Sequence, residues 1–279
     1  HMKQAPATIT NVTNDDAPAL MSVTAKGRLE GLLLSMTVTQ VFKNNTNSNM
    51  EVVYTFPVAW GAVLLGLDAT LGGQRRSGQV MGNKLATQNY EEAVEKGDAP
   101  IMVEKNKGGT YTASLGSLKP GEEAVLDIRY AQLLSLDQGQ VRLTIPTTIG
   151  PCYGDAMSQG GLRFDQVPGS NLFAEYPFGV SIDITGAMSQ ARIGSPSHPV
   201  TQQITPDGVC VSLTRSAMLD RDFVLLLEDL PVNSWALTGP DRPSGEGHHA
   251  TLLSYCPNLV STEVPSLSVK ILVDCSGSM

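Results

Sequence analysis

Asp274, Ser276 and Ser278 stand at positions i, i+2 and i+4 of the run Asp274-Cys275-Ser276-Gly277-Ser278-Met279. In an extended loop those positions point the same way, so one carboxylate and two hydroxyls converge. Hard oxygen donors of this kind suit Mg²⁺, which keeps water at its other positions. With so little negative charge from the protein, the ion stays electrophilic and can accept a carboxylate from a partner. Gly277 lets the backbone come close, and Cys275 points away from the ion. The element that must hold this loop is the mostly apolar strand pattern running from Ser266 to Asp274, with Leu267, Val269, Ile271, Leu272 and Val273. The carboxyl end of a parallel strand is where open α/β sheets place their ligands. An ordinary turn has the same Asp/Ser/Gly composition, and the spacing alone does not separate the two.

Other candidate groups are thinner. His248 and His249 put their rings on opposite sides if extended, which fits a solvated loop better than a metal site. Asp220-Arg221-Asp222 reads as a strand-entry turn with a local ion pair. No Ser/His/Asp set, Gly-rich phosphate loop or paired catalytic carboxylates stands out in the sequence, so a non-enzymatic protein is expected. Cys152, Cys210, Cys256 and Cys275 are scattered, without CxxC spacing, and read as structural thiols.

The 279 residues suffice for two domains with real cores. Charged residues make up 16% of the chain, so its strands must be extensively buried or paired. Its 19 basic and 27 acidic residues leave a net charge of −8, which argues against nucleic acid as a partner. No apolar run has transmembrane length, and Phe223-Val224-Leu225-Leu226-Leu227 suits a buried strand. His1-Met2 reads as a cloning remnant. The residues after it lack a basic segment followed by an apolar one, so no signal peptide is expected and the cytoplasm is favoured. A removed signal peptide would instead place the protein outside the cell or on its surface.

Residues 1–17 are small and polar and are expected to form a frayed lead-in. Period-two alternation predicts strands at Leu20–Lys26, Leu32–Lys43, Glu51–Phe56, Ala62–Leu71 and Gln74–Met81. The pattern then changes. Ala86, Tyr90, Ala93 and Val94 share one helical face, Glu91, Glu92 and Glu95 lie opposite, and Gly97 fits a C-terminal cap. Alternation returns at Ile101–Glu104, before the hairpin signal Asn106-Lys107-Gly108-Gly109, and again from Ala124 to Ala131 after the turn Leu118-Lys119-Pro120-Gly121. A single amphipathic helix among strands implies a sheet whose face or edge it covers. Further strands are expected at Val141–Ile145, Phe178–Thr185, Val209–Thr214, Asp222–Glu228 and Ala250–Tyr255. The long interval Pro146–Pro177 reads as a functional loop or a lid. With no useful helix between 137 and 260, the second part is all-β as well. The sequons at Asn11 and Asn44 read as polar turns.

The blocks Val38–Asn44, Glu51–Pro57, Ala86–Gly97, Ala99–Glu104 and Leu118–Tyr130, in this order, resemble the VIT domain, named after vault proteins and inter-α-trypsin inhibitor heavy chains. The strand leading into Asp274-x-Ser276-x-Ser278 resembles the opening of a von Willebrand factor A domain and its metal-ion-dependent adhesion site. The resemblance implies an all-β architecture: a lead-in at 1–17, a VIT sandwich with one short helix at 18–136, and a second, hybrid-like β unit at 137–266. Residues 267–279 would then open an A domain. It implies Mg²⁺ at Asp274, Ser276 and Ser278 in the longer protein. Binding in this segment would be weak or absent, because the family's later Thr and Asp ligands have no counterpart here. The implied function is a protein-interaction scaffold whose partners contact the metal through a carboxylate. A secreted or cell-surface structural or adhesion protein is the first alternative, and an accessory subunit of a separate ATPase or other enzyme is the second. The strand at 267–273, deprived of sheet neighbours, could also pair with another copy.

Overall fold

The computed structural model describes residues 7–12, 17–59, 61–79, 101–106, 110–137, 139–146, 177–214, 221–230, 234–241 and 247–255. Among them the regular structure is all strand, apart from one 3-10 turn at Gly186–Gln190, as the alternating patterns predict. The first nine strands are β1 (Thr8–Asn11), β2 (Ala19–Glu30), β3 (Leu33–Lys43), β4 (Met50–Phe56), β5 (Ala62–Leu71), β6 (Gln74–Gln79), β7 (Val103–Lys105), β8 (Tyr111–Leu118) and β9 (Glu123–Leu133). They are followed by β10 (Leu136–Asp137), β11 (Gln140–Ile145), β12 (Phe178–Thr185), β13 (Arg192–Gly194), β14 (Val200–Thr205), β15 (Gly208–Leu213) and β16 (Phe223–Glu228). A final pair is β17 (Ser234–Pro240) and β18 (His249–Tyr255).

Eight strands form one sheet in the order β14-β15-β12-β2-β3-β9-β5-β6. Its inner face follows directly from alternation: Val23, Ala25 and Leu29 on β2, Leu34, Met36, Val38 and Phe42 on β3, and Ala124, Leu126, Ile128 and Tyr130 on β9 are all buried. Two four-stranded sheets, β1-β4-β8-β7 and β10-β11-β16-β13, contribute their buried side chains to the same hydrophobic core. β12 runs parallel to β2, with Phe178 opposite Val23 and Thr185 opposite Glu30. The large sheet is therefore continuous across residue 136, where the sequence reading divides two domains. Residues 1–232 make one compact unit and residues 233–279 another. The described part of the second unit is the antiparallel hairpin β17–β18, in which Trp235 faces Ser254 and Leu237 faces Leu252.

Several expectations are revised. Residues 8–11 are not a frayed lead-in: they pair with β4 from Thr8↔Thr55 to Asn11↔Val52, and Ala7 and Ile9 are buried. Four residues are too few for alternation to show. β13, β14 and β17 lie where no strand was expected: β14 carries exposed side chains on both faces, as edge strands do, and β13 is only three residues long. β16, in contrast, is flanked by β11 and β13, as its apolar run suggested. Asn44 is fully buried, and its amide donates to the carbonyls of Ser48 and Leu118 at 2.8 and 3.0 Å, which fixes the polar turn and leaves no room for a glycan. The predicted helix at 86–97, the strand at 267–273 and, apart from its end residues, the loop at 146–177 lie outside the described residues.

One inward polar residue ties the sandwich together. Gln40 on β3 is fully buried, and the Tyr54 hydroxyl of β4 donates to its Oε1 at 2.6 Å. Tyr54 also stacks on Phe56, with ring centroids 4.9 Å apart, and meets Phe42 edge-on at 6.1 Å. Burial pushes the Tyr54 phenol far above its ordinary pKa, only partly offset by the Gln40 bond, so it stays a donor. Tyr54→Phe keeps the ring and removes the donor. It is expected to cost about 1–3 kcal/mol in urea denaturation, because a buried acceptor loses its bond. Adding Gln40→Leu should recover part of that loss.

Candidate interaction face

Asp274, Ser276 and Ser278 all lie outside the described residues, so the structure neither gathers nor separates them. Among the described residues no group of three or more His, Cys, Asp or Glu side chains could hold a metal. His248 and His249 sit at the closed end of the β17–β18 hairpin: the Asp241 amide donates to the His248 carbonyl at 2.8 Å, and His249 Nδ1 lies 3.2 Å from the Gly247 carbonyl. Both residues are exposed; His248 lies in the connection, while His249 opens β18 opposite Pro240 and so is a strand residue rather than part of a loop. Cys210 is a free, half-buried thiol 3.3 Å from Ser181 Oγ.

The charged chemistry that the fold does assemble is on the outer face of the eight-stranded sheet. Side chains that alternate away from the core fall into rows across the strands. One row runs Ser77, Asp68, Asp127, Thr39 and Thr24, through β6, β5, β9, β3 and β2. The next runs Arg129, Thr37, Lys26 and Ser181. A third runs Val63, Ala131, Ser35, Arg28 and Asp183.

Asp68 is the fixed point of this face. Its side chain is only 6% exposed, yet Arg75 Nη2 donates to Oδ2 at 2.9 Å and Arg129 Nη2 lies 3.4 Å from the same oxygen. Next to it, the Thr39 hydroxyl donates to Asp127 Oδ1 at 2.5 Å. Burial by itself would raise the Asp68 pKa. Hydrogen bonds from Ser77 and Arg75, with the charges of Arg129 and Arg75, outweigh it and hold the carboxyl below its usual value. A carboxylate with a depressed folded pKa stabilises the fold fully above the unfolded value, about 4, and stops doing so as pH falls through the folded value. Asp68→Asn is therefore expected to flatten the fall in unfolding temperature below about pH 4, measured by a thermal scan at each pH.

Beside this hub lies a shallow cleft of about 270 Å³, lined by Lys26, Arg28, Ser35, Thr37, Leu65, Arg129 and neighbouring backbone. Lys26, Arg28 and Arg129 are exposed, and so is the apolar Leu65 among the lining residues. The sequence reading ends this strand at Lys26; the strand runs on to Glu30, which puts Arg28 on the same outer face as Lys26. Their neighbours were not legible, because the register that brings β9 and β5 alongside joins distant parts of the chain.

Comparison with known proteins fits this fold. Residues 20–130 match the family model described as the vault protein inter-alpha-trypsin domain, or VIT. The mouse protein mono-ADP-ribosyltransferase PARP4 is 27% identical over 271 residues, a match that covers 93% of this chain and 14% of that protein. The human von Willebrand factor A domain-containing protein 5A is 22% identical over 277 residues, covering 93% of this chain and 35% of its own length. The chain thus spans between about a seventh and a third of these relatives. Among solved structures, an M1 zinc metallopeptidase from Deinococcus radiodurans superposes with a TM-score of 0.40 at 15% identity, over 88% of this chain and 49% of that one. That likeness is too loose to bear on function. Residues 20–130 thus match the VIT module, and von Willebrand A domain-containing proteins are among the relatives of the chain.

Proposed function

We propose that the protein is a non-enzymatic interaction scaffold, in which the VIT sandwich and the strands joined to it carry a von Willebrand A domain. The observation that supports this is the match of residues 20–130 to the VIT module within a chain that aligns over 93% of its length with a von Willebrand A domain-containing relative. The transferase name belongs to the mouse relative, of which the chain spans 14%. The donor set Asp274, Ser276 and Ser278 fits a hard divalent cation: one carboxylate offsets part of its charge, and two neutral hydroxyls orient it without quenching it. When bound, Mg²⁺ supplies an electrophilic position for a partner's carboxylate. The test is partner capture by the protein with its A domain complete, with and without Mg²⁺ and with Asp274→Ala. Capture should fall sharply in EDTA and in the variant, and capture unchanged by both removes the metal contact. The 279-residue chain alone should unfold at the same temperature in EDTA and in excess Mg²⁺, since a ligand that does not bind the native state cannot shift its melting.

A further inference from the structure

We infer that β14, the open edge of the eight-stranded sheet, pairs antiparallel with β14 of a second copy of this chain. The pairing does not depend on the scaffold reading. Where that reading holds, it makes the scaffold bivalent, so a partner with two contact points gains avidity. Sheet edges are usually blunted by charge, proline, a bulge or shortness. The opposite edge, β6, carries Arg75 and Arg76, and its Ser77 carbonyl accepts the Ile101 amide at 3.5 Å. β14 has none of these devices. Its six residues hold no charge and no proline, its register with β15 is unbroken, and no described strand lies beyond it.

Backbone direction fixes which groups are available. The Thr214 amide donates to the Pro199 carbonyl at 3.1 Å, so Pro199 faces β15, and in an antiparallel ladder every second residue does the same. Thr201, Gln203 and Thr205 therefore bond to β15, while the amides and carbonyls of Val200, Gln202 and Ile204 point to the open side. Pro199 and Pro206 bracket the strand and leave one register that uses all three within it. Val200 then lies opposite Ile204 of the second copy, Gln202 opposite Gln202, and Ile204 opposite Val200. The side chains meet in kind. Gln202 stands beside buried Val211, so Val200, Gln202 and Ile204 share the inner face. Ile204 is 88% exposed, and the two-fold axis lays it on Val200, an aliphatic side chain already packed against the core. On the outer face Thr201 meets Gln203, hydroxyl against amide. Charge does not oppose the contact. β14 and β15 are neutral, and the two Asp207 side chains of the turns fall at opposite ends of the pair.

One strand pair is small beside the roughly 800 Å² per partner of a stable complex, so the dimer is weak, with a Kd on the order of 100 µM. The test is sedimentation equilibrium of the full chain in EDTA from about 10 to 500 µM, a range that brackets that Kd, with amide hydrogen exchange read by residue. Dimer should grow over the range, and more so as salt screens the repulsion between two chains of net charge −8. The amides of Val200, Gln202 and Ile204 should gain protection with it. Ile204→Pro removes an outward amide and no bond to β15, so the unfolding temperature should hold while dimerisation weakens by about tenfold or more. Gln202→Lys and Gln202→Glu each set like charges face to face on the two-fold axis and should stay monomeric alone. Mixed in equal amounts, they should pair. Both are first checked for wild-type melting, because Gln202 Nε2 donates to the Ile193 carbonyl at 2.9 Å. A chain that stays monomeric throughout overturns the proposal, and slow exchange at those three amides in the monomer would give the edge to another segment of the same chain. Dimers left intact by Ile204→Pro, or a mixture that pairs no better than its components, also overturn it. With EDTA present, none of these outcomes bears on the Mg²⁺-dependent contact.

Discussion

Phe178→Ala is expected to cost about 3–5 kcal/mol and to lower one unfolding transition shared by β2–β9 and β12–β15. Phe178 is fully buried at the start of β12, opposite Val23 of β2. Its truncation removes a large apolar surface and leaves a cavity that backbone held by the β2 pairing can close only partly. β12 also holds the sheet together. It pairs antiparallel with β15 and parallel with β2, so β14 and β15 reach the VIT strands through it. The Thr185 hydroxyl adds a bond to the Leu29 carbonyl at 3.3 Å, at the far end of the same pairing. One continuous sheet over one core should melt as a single cooperative unit. The measurement is urea unfolding followed by circular dichroism, with hydrogen exchange read separately on β3 and β15. Protection should fall together on both. If exchange accelerated on β15 while β3 stayed protected, the strands beyond residue 136 would be an independent domain.

The same comparison shows what the sequence could carry. β2, β3, β4 and β9 were legible because each has one drier and one wetter face, and a period of two survives any choice of neighbour. β16 was legible because a strand covered on both faces reads as a continuous apolar run. The β2–β12 pairing was not, since parallel register between remote segments leaves no local mark. β14 was also missed: Thr201, Gln202, Gln203 and Ile204 are all exposed at a sheet edge, and such a strand has the composition of a loop. The candidate metal donors could be picked out by type and spacing, because an extended loop fixes which positions point together. The outer cleft could not, because Lys26, Leu65 and Arg129 meet only once three strands have found their order.

Gly27 is where that order becomes most demanding, and Gly27→Val is expected to destabilise the fold by about 3 kcal/mol, at the upper end of overpacking costs. Gly27 lies on the inner face of β2, with Met36 directly opposite on β3 and Ile182 directly opposite on β12. Both neighbours lean into the space that its missing side chain leaves. A Cβ there would stand 2.4 Å from Met36 Sδ and 2.7 Å from Ile182 Cδ1, well inside van der Waals contact. Gly27→Ala should cost less, since both clashing atoms are ends of flexible side chains and alanine loses less chain entropy on folding than glycine. Valine adds two methyls that neither neighbour can clear without opening the β3 or the β12 pairing. Gly179 on β12 is the control: its added Cβ would meet only Thr24 at 3.8 Å, so Gly179→Ala should be nearly neutral. Pairing Gly27→Val with Met36→Ala should recover part of the loss, because the smaller side chain vacates the volume that the methyls need. A Gly27→Val protein that melts with wild type would mean that β2 does not pass between Met36 and Ile182. The parallel join to β12, on which the continuous sheet depends, would then be wrong.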